Sequence, residues 1–75
     1  MTDIQNKYMK FLEDPSIMEM AIRMLVSNPL ERTFSIGGEL VNVNLINGAP
    51  SERDVYMKIA YIWSTYSRAT KQAYC

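Results

Sequence analysis

Between Pro50 and Tyr74 the apolar residues recur at helical spacing, and no other stretch constrains this chain's fold as strongly. Val55, Ile59, Ile62, Tyr66, Ala69 and Ala73 step by four, three, four, three and four, which holds them on one side of a helix. Tyr56, Ala60 and Trp63 widen that side. The helix start is marked as well. Asn47-Gly48-Ala49-Pro50 is turn chemistry, Ser51 is a capping residue, and Asp54 three positions on completes a capping box with Asp in the usual place of Glu or Gln. Glu52 and Asp54 put negative charge in the first turn, and Arg68 and Lys71 put positive charge near the end, both signs that the helix dipole favours. The pattern predicts one helix over about 51–73, with Val55, Ile59, Ile62, Trp63 and Tyr66 as its core ridge.

An ordinary surface helix is polar opposite its ridge. Here Met57 and Tyr61 fall on that side, four residues apart, beside Ser64 and Arg68. Two solvated amphipathic side chains would account for them. A contact patch for a partner would too, because Tyr, Met and Arg are enriched at interfaces. On the second account Tyr61→Asp is expected to abolish association and leave the fold intact. Ile59→Asp is expected to unfold the protein through an unpaired buried charge.

Upstream, two shorter helices are expected. Thr2 and Gln5 form a further capping box, and Ile4, Tyr8, Phe11 and Leu12 share one face of a helix over about 3–12. Asp14-Pro15 ends it and opens the next, since a residue before proline disfavours helical geometry and proline suits the first helical position. The second helix, about 15–27, has Ile17, Ala21, Met24 and Leu25 inside and only Ser16, Glu19, Arg23 and Ser27 as a polar stripe. Met18, Met20, Ile22 and Val26 widen its apolar arc past half the circumference. Such a helix is either the sandwiched centre of the fold or offers a flank to a partner or symmetry mate. Met20, Ile22 and Val26 join Met57, Tyr61, Ser64 and Arg68 as candidate partner-binding residues.

After Asn28-Pro29 and a connector over 30–32 the periodicity changes to two. Thr33-Phe34-Ser35-Ile36 and Leu40-Val41-Asn42-Val43-Asn44-Leu45 alternate around Gly37-Gly38, a two-residue hairpin signal. The register sets Phe34 opposite Val41 and Ile36 opposite Glu39, with Phe34, Ile36, Val41, Val43 and Leu45 on the buried face. A lone hairpin over about 33–46 has two open edges and needs a helix to lean on.

These elements define a fold expectation: a small single α+β domain spanning 1–75, ordered α-α-β-β-α, with a two-stranded antiparallel hairpin packed on a long C-terminal helix. At 75 residues a single core is marginal, and oligomerisation is one common remedy. One cysteine, Cys75, rules out an intrachain disulfide and fits a reducing, cytoplasmic setting. With no histidine there is neither a histidine-based zinc site nor the usual neutral-pH general base. The carboxylates form no catalytic or metal-binding motif. Gly37-Gly38 lacks the lysine and following helix of a phosphate-binding loop. No enzymatic activity, metal or cofactor is expected. No signal peptide or membrane span is expected either, as no apolar run approaches the required length.

Eight basic residues balance eight acidic ones, which argues against a dedicated nucleic-acid binder. The alternative of a small single-stranded nucleic-acid-binding protein rests on helix 51–73, where Arg53, Lys58, Arg68 and Lys71 interleave with Tyr56, Tyr61, Trp63, Tyr66 and Tyr74. Against it, Lys58 and Arg68 point to different sides, Trp63 and Tyr66 belong to the apolar ridge, and the basic residues read as solvated helix surface. The favoured expectation is a non-catalytic protein–protein interaction module whose partner is another protein or itself. It would be a small subunit of a larger assembly, a homo-oligomer, or an inhibitor acting by surface occlusion. Small chains of this kind are common among phage and plasmid accessory proteins, an association that adds a phage-encoded, viral origin to the expectation.

Overall fold

The computed structural model describes residues 3–74, so the proposed Thr2 cap and Cys75 lie outside the described residues. Its order is α1 (Asp3–Glu13), α2 (Pro15–Ser27), a 3-10 turn (Pro29–Arg32), β1 (Thr33–Ile36), β2 (Glu39–Asn42), α3 (Glu52–Thr65) and α4 (Arg68–Ala73). The chain is a small α+β fold as expected, with a two-stranded antiparallel sheet. The C-terminal helix, however, is two helices.

The α1–α2 junction follows from Asp14-Pro15. The Asp14 carboxylate accepts from Ser16 N–H at 2.9 Å and from Ser16 Oγ at 2.7 Å, and Pro15 takes the first helical position. Arg32 closes the other end of α2: its Nε donates to Leu25 O at 2.6 Å and its Nη2 to Val26 O at 3.0 Å. A cation there also suits the helix dipole. In the hairpin Phe34 pairs with Val41 and Ile36 with Glu39, the register read from the sequence. Gly37 and Gly38 both have positive φ, 60° and 81°, as a type I′ turn requires. Asn47 and Gly48 repeat that geometry between Ile46 and Ala49, which form an isolated bridge. β2 is therefore shorter than predicted: residues 43–45 are not strand, although Val43 remains buried and its N–H donates to Arg32 O at 2.8 Å.

α3 lies at the centre, with α1 and α2 packed along it and β1 on another side. Ser51 caps it by accepting from Asp54 N–H at 3.2 Å. Its core ridge is as predicted at Val55, Ile59, Ile62 and Trp63, all buried, with Phe11, Ala21, Leu25, Phe34, Val41 and Val43 against them. Each large apolar side chain fully buried here contributes about 2–3 kcal/mol.

Beyond Thr65 the predicted helix fails. Tyr66 has extended backbone (ψ 142°), and Ser67 starts α4 by accepting from Thr70 N–H at 3.1 Å. The cause is local competition for carbonyls: Ser64 Oγ donates to Tyr61 O and Thr65 Oγ1 to Ile62 O, both at 2.6 Å. The break redirects α4 against α1. Ala69 and Ala73, predicted to extend the ridge, are exposed as a result. Tyr74 returns to the core, edge-on to Phe11 and Trp63 at 5.3 and 5.9 Å between ring centroids. Its hydroxyl donates to the Asp14 carboxylate at 2.9 Å, and the Lys7 ammonium donates to the Gln72 carbonyl.

Candidate functional site

The second flank of α3 carries Arg53, Tyr56, Met57 and Ala60, spaced three, one and three so that they share one strip of the helix. With α1 on one side and the tip of the hairpin on the other, that strip floors an open groove of about 670 Å³. Tyr8 and Leu12 form the α1 wall, and Ile36, Gly37 and Glu39 form the hairpin wall. The floor and most of the walls are apolar, and Arg53 and Glu39 are the charged residues among them. Tyr56 is 39% exposed at the rim, with an apolar ring and a polar tip. Met57 supplies a flexible, polarisable surface in the middle.

The predicted patch residues do not form one surface. Met57 belongs to the groove, but it does not face open solvent as predicted: it is half-buried and packed on the core, like Tyr61. Tyr61 packs on Phe34 at 5.1 Å between ring centroids, the two rings tilted by 41°, and is structural. The hairpin covers this flank of α3, which the helical wheel alone treats as outside. Ser64 is exposed and donates to its own helix, and Arg68 is exposed beyond the break, on α4. On α2, Met20, Ile22 and Val26 are all exposed. Ile22 and Val26 share one flank four residues apart, whereas Met20 lies on the opposite flank of the stripe formed by Ala21 and Leu25.

One residue overturns its expected role. Lys58, read as solvated helix surface, is 1% exposed. Its Nζ donates to Glu31 Oε2 at 2.9 Å and to Glu31 O at 3.0 Å, and it sits over the rings of Phe34 (4.7 Å) and Tyr61 (4.9 Å). The ammonium thus has a carboxylate, a carbonyl and two aromatic faces in place of water. Lys71 likewise lies over Trp63 at 5.7 Å. The aromatic and basic residues that a nucleic-acid surface would need are in large part consumed internally.

The titration of Asp14 and Tyr74 is tied together by their hydrogen bond. The Ser16 hydroxyl, then the Tyr74 hydroxyl and the Ser16 amide, hold the Asp14 carboxyl below its ordinary value of 3.8. Burial first, and then the Asp14 carboxylate, push the Tyr74 phenol above its ordinary value of 10.0. Both groups are at the α1–α2 junction and serve the fold. No group of three or more His, Cys, Asp or Glu side chains that could hold a metal ion occurs among the described residues. No helix among them is long and apolar enough to cross a membrane.

No protein-family model, curated protein or solved structure matches this chain.

Proposed function

We propose that this protein is a non-catalytic protein-binding module, a small cytoplasmic subunit of an assembly or an inhibitor that works by covering a surface. The observation that supports it is the groove between α1, the hairpin tip and α3: open, apolar on its floor, and rimmed by a half-exposed tyrosine. Such a surface takes an apolar anchor from a partner, and the Arg53–Glu39 rim orients it through charge. Titratable side chains converge nowhere in it as an acid–base or nucleophilic set would, which favours binding over chemistry. The nucleic-acid alternative is weakened by the burial of Lys58 and Trp63, two of the residues on which it relied.

Filling the groove is the direct test. Ala60→Arg places a long side chain across the floor at a half-buried helix position where arginine is a good helix former. Affinity capture with the wild type and with Ala60→Arg, side by side, should return a stoichiometric protein that the variant loses. A partner retained equally by both would place the interface elsewhere.

A further inference from the structure

The hairpin register leaves one edge of the sheet with a defined pairing requirement. Hydrogen-bonded positions alternate along an antiparallel ladder, and the Val43 N–H donating to Arg32 O fixes the phase. Ile36–Glu39 and Phe34–Val41 are then the hydrogen-bonded pairs, so Leu40 and Asn42 turn their backbone N–H and C=O groups outward from β2. Among the described residues nothing pairs with those groups. Beside them runs a second, polar groove of about 170 Å³, between residues 39–42 and the first turns of α3 at Arg53, Asp54 and Met57. Arg53, Glu39 and Asp54 all line it, and none of their charged side-chain groups has an ion-pair or hydrogen-bond partner among the described residues. On the outer face Leu40 is 67% exposed.

We propose that β2 pairs antiparallel with β2 of a second copy, about a two-fold axis at Val41, to make a four-stranded sheet. The edge selects its own partner. With Val41 opposite Val41 of the second copy, Leu40 lies opposite Asn42 in both directions, so every outward backbone group of the two residues finds a partner. A register centred on Leu40 would instead set Asn42 against Gly38 in the turn. Glu39, the one charged residue of the strand, falls opposite Val43, so no like charges meet. It falls on the α3 face of the sheet, the side on which Arg53 of the other copy lines the groove. Arg53 of each chain thus meets Glu39 of the other across the axis, with Asp54 as a second carboxylate lining the same groove. On the outer face the two exposed Leu40 side chains become diagonal neighbours. This goes beyond the apolar groove's binding role; the two share Arg53 and Glu39, and Leu40→Pro and Ala60→Arg tell them apart.

The test is sedimentation equilibrium across a concentration series for the wild type, Leu40→Pro, Arg53→Glu and the double variant Arg53→Glu/Glu39→Arg. Proline at position 40 removes an N–H that the hairpin itself does not use and blocks an added strand. The wild type should reach twice the chain mass, and Leu40→Pro should stay at the chain mass. Arg53→Glu should weaken the dimer by about tenfold or more, and the double variant should restore it. If Leu40→Pro does not fold, the charge pair decides. A wild type that stays monomeric throughout, a folded Leu40→Pro that dimerises like the wild type, or no rescue by the double variant would overturn the proposal. A monomeric wild type that still binds a partner through Ala60 would leave the groove's function intact.

Discussion

Lys58 and Glu31, 27 positions apart, form the contact that ties α3 to the turn before the hairpin: Lys58 Nζ stands 2.9 Å from Glu31 Oε2 and is sealed from water by Phe34 and Tyr61. A buried pair of this kind is costly to break and cheap to replace whole, because removing one partner leaves the other charge in an apolar site. The Glu31 side chain is about a third exposed, which moderates the cost. Glu31→Ala should lower stability by about 2 kcal/mol in chemical denaturation. The double variant Lys58→Met/Glu31→Ala should be more stable than Glu31→Ala alone. A double variant that is the weaker of the two would contradict the described environment of Lys58.

Tyr61→Asp should destabilise the protein by about 3 kcal/mol or more, since it removes the ring over Lys58 and Phe34 and sets a carboxylate in a half-buried position. This reverses the sequence expectation that the substitution spares the fold. Ile59→Asp should still unfold the chain, as Ile59 is fully buried. Circular dichroism and thermal melting separate the two cases, and a Tyr61→Asp melting curve matching the wild type would refute the placement.

The hairpin turn makes its own demand. Gly37 and Gly38 have open space where a Cβ would go, so the cost of Gly38→Ala is the positive φ alone, about 1 kcal/mol. Gly37→Asn should be nearly neutral, because asparagine tolerates that conformation. Equal melting temperatures for wild type and Gly38→Ala would rule out the type I′ turn.

Acid and alkali should act at the same junction in opposite senses. Asp14 has a lowered pKa in the folded chain, so its contribution is complete above 3.8 and is lost as pH falls through the still lower folded value. Tyr74 has a raised pKa, so its contribution is complete below 10.0 and is lost as pH rises through the folded value. Tyr74→Phe should flatten the alkaline limb and bring the Asp14 titration, followed by carboxyl NMR, closer to its ordinary value. An unchanged Asp14 titration in Tyr74→Phe would show that the hydrogen bond does not form in solution.

Much of the fold was legible because local rules and global packing agree in it. Asp14-Pro15, Gly37-Gly38 and Ser51-x-x-Asp54 each mark a boundary by a mechanism that acts within a few residues, and the hairpin register follows from turn length alone. The α3–α4 break was missed because Tyr66 and Ala69 continue the helical spacing straight through it. The carbonyl-competing hydroxyls of Ser64 and Thr65, followed by the capping hydroxyl of Ser67, were the readable signal. Lys58 was misplaced for a different reason. Two neighbours one turn away, Val55 and Ile62, belong to the ridge, but Tyr61 reads as outside on the wheel, and the carboxylate that makes burial tolerable comes from Glu31, a long-range pairing that has no periodicity. The groove was half legible: Tyr56 and Ala60 widen the apolar ridge on the wheel, but Met57 reads there as part of the opposite face, and the walls come from α1 and the hairpin tip, which only the tertiary fold brings together.

The central claim is that the groove over Ala60 binds a protein partner, and a calorimetric titration of the captured partner into wild type and Ala60→Arg tests it most directly. The account predicts saturable one-to-one binding by the wild type, weakened at least about tenfold in Ala60→Arg, whose own stability should stay within about 1 kcal/mol of the wild type. Equal affinity for the two folded proteins would contradict it.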